Sequence, residues 1–139
     1  IKDQFGYPGS KPPWGNLTSI NLNNGKINWR IPFGEYEELT KKNIPLTGTV
    51  NFGGVTATAG NLVFATGTVD NKVRAYRATD GKELWSYEMK YLGSSPPTIF
   101  EYNNDQYILV VATGSQTIKS QFPDQTEFGD MMYVFKLRD

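Results

Sequence analysis

Residues 19–29 read SINLNNGKINW, and residues 75–85 read AYRATDGKELW. The two stretches superpose without a gap at an offset of 56 residues (75 against 19). Both run strand, turn, Gly-Lys, two residues, Trp. The approach strands match in character, with Leu17 opposite Val73 and Ile20 opposite Tyr76. Residues 132–137, MYVFKL, form a third copy of that strand without its turn. Asn24-Gly25 and Asp80-Gly81 are hairpin signals, because glycine reaches the positive φ that so tight a turn demands.

Working outward, short strand patterns alternate with turn signals. Leu17–Leu22 sets Leu17, Ser19 and Asn21 against Thr18, Ile20 and Leu22, a strand with one apolar face. Ile27, Trp29 and Ile31 share a face in the next strand. Further strands are read at 55–58, 62–66, 73–78, 83–87, 98–102, 107–112 and 131–137, with Leu62–Thr66 apolar enough to be buried on both faces. That makes about nine strands of 4–7 residues, an all-β pattern of antiparallel meanders. Residues 1–15 are Gly- and Pro-rich and read as an ordered loop. Residues 32–51 break the pattern; Glu35–Lys42 suits about two helical turns before Pro45, and is the one helical candidate. Gly114–Gly129 reads as a second long polar loop.

A fixed period with four strands per unit is the signature of a propeller blade. The period exceeds the usual WD-repeat spacing, and the Gly-His and Trp-Asp pairs are missing. The expected division is the end of one blade at 1–31, a loop at 32–53, a complete blade at 54–89 and an incomplete last blade at 90–139. Two to three blades cannot close a ring, so the reading is a fragment of a larger propeller, truncated on its N-terminal side. Trp29 and Trp85 are read as structural, buried at equivalent places between blades. The strands at 17–31 and 131–137 should be the open ends, with unpaired edges that invite self-association.

Composition excludes several functions. The chain has 139 residues, 14 Lys+Arg against 14 Asp+Glu, and neither Cys nor His. A zinc finger, a thiol nucleophile, a Ser-His-Asp triad and a His-ligated metal are therefore ruled out. Zero net charge argues against a nucleic-acid partner. No run approaches the roughly 18 apolar residues of a membrane-spanning helix, and IKDQFGYPGS has neither the basic nor the apolar region of a signal peptide.

The repeat resembles the tryptophan-docking motif of quinoprotein dehydrogenases, Ala-x-Asp-x-x-Thr-Gly-Lys-x-x-Trp. The second copy keeps Ala75, Gly81, Lys82 and Trp85, with Arg77 and Asp80 as departures; the first keeps Gly25, Lys26 and Trp29, with Asn21 in the Asp position. PPWGNLTSINLNNGKINW, GEYEELTKKNIPLTGTVNFGG, ATAGNLVFATGTVDNKVRAYRATDGKELW and GSSPPTIFEYNNDQYILVVATG follow in order, with Gly129-Asp130 beyond, and are similar to the membrane-bound glucose dehydrogenase branch.

The resemblance implies an eight-bladed propeller holding pyrroloquinoline quinone (PQQ) on its axis beside Ca2+ or Mg2+. It implies oxidation of a sugar or alcohol hydroxyl, a general-base Asp, and ubiquinone or a cytochrome as electron acceptor. It further implies a periplasmic protein, anchored to the inner membrane through a region absent here. Base and metal ligands come from earlier blades in that family, so no catalytic or metal-ligating residue is assigned, and the 139 residues alone are expected to bind no cofactor and turn nothing over.

The candidate cofactor-binding residues are Asn51, Phe52, Gly53 and Asp70. Asn51-Phe52-Gly53-Gly54 ends the long loop, and its glycines let backbone approach a planar group. Asp70 precedes the strand 73–78, where it either caps the turn or faces the cofactor. Arg74 either contacts a cofactor carboxylate or is a solvated strand charge. Glu35, Glu37 and Glu38 read as a solvated loop face. Thr113-Gly114-Ser115 stands where relatives carry Gly-Gly-His. Two other functions compete: a non-catalytic Trp-docking scaffold for protein interaction, and a small carbohydrate-binding β domain. NFGG and GEYEEL favour the enzyme, and the repeat counts against the third reading.

Overall fold

The computed structural model describes residues 1–122 and 127–136. Among these, nine strands form three antiparallel sheets. The first sheet pairs β1 (Asn16–Ile20) with β2 (Ile27–Pro32). The second is complete, in the order β3 (Val55–Ala57), β4 (Leu62–Ala65), β5 (Lys72–Arg77), β6 (Glu83–Glu88). The third runs β7 (Thr98–Tyr102), β8 (Asp105–Ala112), β9 (Met131–Lys136). Sequence neighbours pair throughout, as hairpin connections require. Leu137 and Arg138, at the expected last edge, lie outside the described residues.

Alternating side chains bury both faces of the two central strands of the middle sheet, β4 and β5. Ala65 and Tyr76 meet Phe33, with Leu17 and Ile31 of the first sheet packed against them. From the other face, Val73 joins Met89 against Val110 and Ala112 of the third sheet, with Tyr133 and Phe135 alongside. A third cluster lies among the connections: Tyr36, Val69, Leu92, Ile118 and Phe122, with Tyr7 and Trp14 packed on it.

The structure corrects four expectations. Ile20 and Leu22 are exposed, while Leu17 faces the core, because alternation sets Leu17 on the opposite face from Ile20 and the middle sheet covers the Leu17 face. The helix expected at 35–42 is one turn, α1 (Glu37–Thr40). A second helix, α2 (Gln116–Gln121), stands inside the expected polar loop. Ser115 Oγ caps it by accepting from the Ile118 amide, and Ile118 is fully buried. Residues 123–126 of that loop lie outside the described residues.

The fourth correction concerns the two tryptophans. Trp29 is half-buried and donates its Nε1–H to the Ala78 carbonyl at 2.8 Å, reaching the next sheet. Its indole lies over the Gly81 turn, where a Cβ would stand 2.7 Å from Trp29 Cε3. Trp85 is 38% exposed and meets Phe135 edge-on at 5.1 Å. Aligning 73–80 with 132–139 puts Leu137 in Ala78's place, outside the described residues.

Gly25 and Gly81 close equivalent turns at φ +70° and +73°, but nothing lies within 4 Å of a Cβ at Gly25. Gly25→Ala should therefore cost about 1 kcal/mol, the left-handed strain alone. Gly81→Ala should cost about 2–3 kcal/mol, because the Trp29 indole must also move. Urea denaturation of both variants checks this; equal costs would show that Trp29 does not press on the turn.

Candidate functional site

Strand direction gathers the candidate residues at one end of the sheets. Val55 pairs with Ala65 and Lys72 with Glu88, so the start of β3, the β4–β5 turn and the exit of β6 share that end. The 33–50 connection, residues 113–122 and 127–130, and both helices lie there too. Among the described residues, the opposite end carries the short turns of the β1–β2, β3–β4, β5–β6 and β7–β8 hairpins.

Residues 51–54 cross the β4–β5 connection at close range. Asn51 bridges Thr68, and the Phe52 amide donates to the Gly67 carbonyl at 2.9 Å. A Cβ on Gly53 would stand 2.3 Å from the Thr66 carbonyl oxygen, and one on Gly67 2.2 Å from the Gly53 nitrogen. Glycine is thus required here by the protein's own backbone. The Gly53 and Gly54 amides have no hydrogen-bond partner among the described residues. They border a cleft of about 250 Å³ lined also by Asn51, Leu17, Phe33 and Thr66. Asn51 Nδ2 makes only a 3.3 Å bond to the Thr49 carbonyl. Phe52 stands half-exposed and is not part of the lining.

Asp70 lies apart from that cleft, at the centre of a charge network. Its Oδ1 accepts from Thr68 Oγ1, the Lys72 amide at 3.2 Å and Arg74 Nη1 at 3.1 Å. Its Oδ2 accepts from the Glu35 amide at 2.8 Å and from Arg74 Nη2. Burial alone would raise the Asp70 pKa; hydrogen bonding and attraction from Arg74, then Thr68 and the Glu35 amide, outweigh it and hold the carboxyl below its usual range. Arg74 is 4% exposed and bonds Thr68 Oγ1 at 3.0 Å, with Glu83 at 3.3 Å from its Nε. It is a buried clamp that ties β5 to the β4–β5 turn and β6, not a solvated strand charge. The reason is its register opposite Ala65, which puts it on the face covered by the first sheet.

Glu35 is likewise no solvated charge: it is partly buried and pairs with Lys72 at 2.8 Å. Glu37 pairs with Lys41 at 3.1 Å on the surface, and Glu38 accepts from the Tyr7 hydroxyl at 2.7 Å. A second cleft, of about 280 Å³, opens between residues 35–38 and 69–72. The structure therefore unites Asn51, Gly53 and Gly54, and sets Asp70 with Glu35 in the neighbouring cleft. Thr68, Tyr36 and Asn71 were not anticipated; Tyr36 and Asn71 sit inside the quoted motifs, but no periodicity separates them from packing residues.

These residues can be tested against a planar, carbonyl-rich, anionic cofactor. Two free amides beside an amide side chain match its acceptor edge. Asp70 does not match, because both of its oxygens are occupied. Among the described residues no group of three or more carboxylates is placed to hold a metal ion. No helix among them is long and apolar enough to cross a membrane.

Comparison with known proteins agrees with this architecture. The chain is 29% identical to quinoprotein glucose dehydrogenase A of Acinetobacter calcoaceticus over 97% of its own length and 17% of that protein's. It is 32% identical to the glycerol dehydrogenase large subunit of Gluconobacter oxydans, over 88% of its length and 18% of the relative's. The crystal structure of quinohemoprotein alcohol dehydrogenase from Comamonas testosteroni shares the fold, with a TM-score of 0.63 at 24% identity, covering 94% of this chain and 17% of that one. The chain thus spans about a sixth of these proteins' length. The family model described as the glucose/ethanol/alcohol dehydrogenase β-propeller domain matches residues 1–108, and the chain belongs to that PQQ-dependent family.

Proposed function

We propose that these residues form one wall of the cofactor cleft in a PQQ-dependent dehydrogenase that oxidises a sugar or alcohol hydroxyl. The observation that carries the reading is the pair of unpartnered amides at Gly53 and Gly54 beside Asn51, at the loop end of the sheets. PQQ, when bound, supplies the two-electron oxidant. The chain's own part is to hold and orient. The Gly53 and Gly54 amides and Asn51 Nδ2 donate toward the cofactor's oxygens, and the crossing of residues 52–53 with 66–67 fixes them in place. The Asp70–Arg74 clamp keeps the neighbouring turn rigid. The general base, the Ca2+ or Mg2+ ligands and the remaining blades belong to the rest of the propeller in this proposal. Electrons leave to ubiquinone or a cytochrome, and the protein works in the periplasm.

Asn51→Asp tests the assignment in the full-length protein. A carboxylate there repels an anionic cofactor and removes one donor, so PQQ affinity should fall about tenfold or more. The melting temperature should stay within a few degrees, since the lost amide bond is long. Unchanged affinity in a fluorescence titration with PQQ would remove residue 51 from the site.

A further inference from the structure

Thr66 follows β4 directly, where the chain crosses residues 51–54. It is 1% exposed, so its hydroxyl needs a partner inside the protein. That partner is the Ser95 carbonyl, at 2.8 Å, in the connection between β6 and β7. The Thr66 amide donates to the Gly54 carbonyl at 3.2 Å. One buried residue therefore bonds both a glycine of the 250 Å³ cleft and the connection that leads into the third sheet.

The same connection touches the cleft wall directly. A Cβ on Gly54 would stand 2.3 Å from Pro96 Cγ, so the Pro96 ring packs on the Gly54 backbone. Pro96 in turn sits between two residues whose carbonyls accept from threonine hydroxyls. Ser95 accepts from Thr66, and Pro97 accepts from Thr56 of β3 at 2.6 Å. The two bonds are alike in kind and in the segment they hold. They differ in place, because Thr66 lines the cleft and Thr56 does not.

Glycine backbone has little stiffness of its own, and an N–H bond weakens steeply as its angle departs from linear. The Gly53 and Gly54 amides keep one direction only if their neighbours hold them. We propose that Thr66 is a positioning residue for the cofactor: its bond to Ser95 fixes the Gly54 backbone between the middle and third sheets, and so aims the two amides into the cleft. The role toward PQQ rests on the function proposed above; the link from Thr66 to residues 51–54 does not.

Fluorescence titration of the full-length protein with PQQ tests it, in Thr66→Val, Thr66→Ser, Thr56→Val and Pro96→Gly. Thr66→Val keeps the side-chain shape and deletes the donor, so PQQ affinity should fall about fivefold, the effect of one hydrogen bond. Thr66→Ser keeps the donor and should return affinity to within about twofold of wild type. Thr56→Val loses the equivalent bond outside the cleft. It should lower the melting temperature as Thr66→Val does and leave PQQ affinity unchanged. Pro96 is exposed, so Pro96→Gly should keep the fold while freeing the connection, and weaken PQQ several-fold. Unchanged affinity in both Thr66→Val and Pro96→Gly would overturn the proposal. So would an equal fall in Thr56→Val, which would make the effect one of stability alone. Hydrogen–deuterium exchange of the PQQ-free protein should rise over residues 51–56 in Thr66→Val and stay at the wild-type level in Thr66→Ser. Unchanged exchange in Thr66→Val would also overturn the proposal. That measurement is made without cofactor, so a failed Asn51→Asp titration counts against the cofactor reading alone.

Discussion

Asp70→Ala should destabilise the protein by about 3–5 kcal/mol, the usual cost of leaving a buried charge without its partner. Arg74 is 4% exposed and its guanidinium has two other contacts, Thr68 and the half-exposed Glu83. Removing the carboxylate strands that charge between two sheets. It also frees the Glu35 amide, which ties the connection after β2 to the β4–β5 turn. Asp70→Asn keeps the shape and loses the charge, so it should fall between wild type and alanine. Chemical denaturation of the three proteins measures the order.

The same group predicts a pH dependence. The folded Asp70 carboxyl titrates below its usual value, so the folded state holds it ionised where the unfolded chain begins to take up a proton. Its contribution is complete above the unfolded value near 4. It is lost as pH falls through the folded value. Acid unfolding should therefore be shallower in Asp70→Asn than in wild type, with the two curves converging at low pH. Identical acid limbs would mean that Asp70 is not ionised against Arg74.

Strand number and order were legible in the sequence because their signals are local. Period-2 alternation and the Asn-Gly and Asp-Gly turns need no knowledge of what lies across the core. What depended on a partner was not legible. In α2, residues QTIKSQ, Ile118 is the only apolar side chain; its burial against the loop cluster with Leu92 holds the helix. Ser115, three residues before Ile118, was the one capping signal available. Arg74 looked solvated because its strand alternates, yet the face it occupies is covered by the first sheet. The glycines of residues 51–54 were recognised as a place of close approach; within the chain the approaching groups are Thr66–Gly67 at Gly53 and Pro96 at Gly54. Spacing carries no information about which segment folds over which.

Trp29→Ala should cost about 3–4 kcal/mol, near the lower end for removing a large aromatic from a packed site. The indole is only half-buried, but it links two sheets in two ways. It covers the glycine turn at 79–82, and its Nε1–H reaches the Ala78 carbonyl at 2.8 Å. Trp29→Phe separates the two contributions. It keeps most of the ring over Gly81 and deletes the donor, so it should cost about 1–2 kcal/mol. Trp85 occupies the same place in the repeat and makes a different prediction. It is 38% exposed, and its aromatic neighbours Tyr87 and Phe135 remain edge-on to one another at 5.1 Å without it. In this chain Trp85→Ala should therefore cost about 1 kcal/mol. Equal losses for the two tryptophans would show that their contribution comes from within each sheet. A threefold difference would locate it in the bond from one blade to the turn of the next.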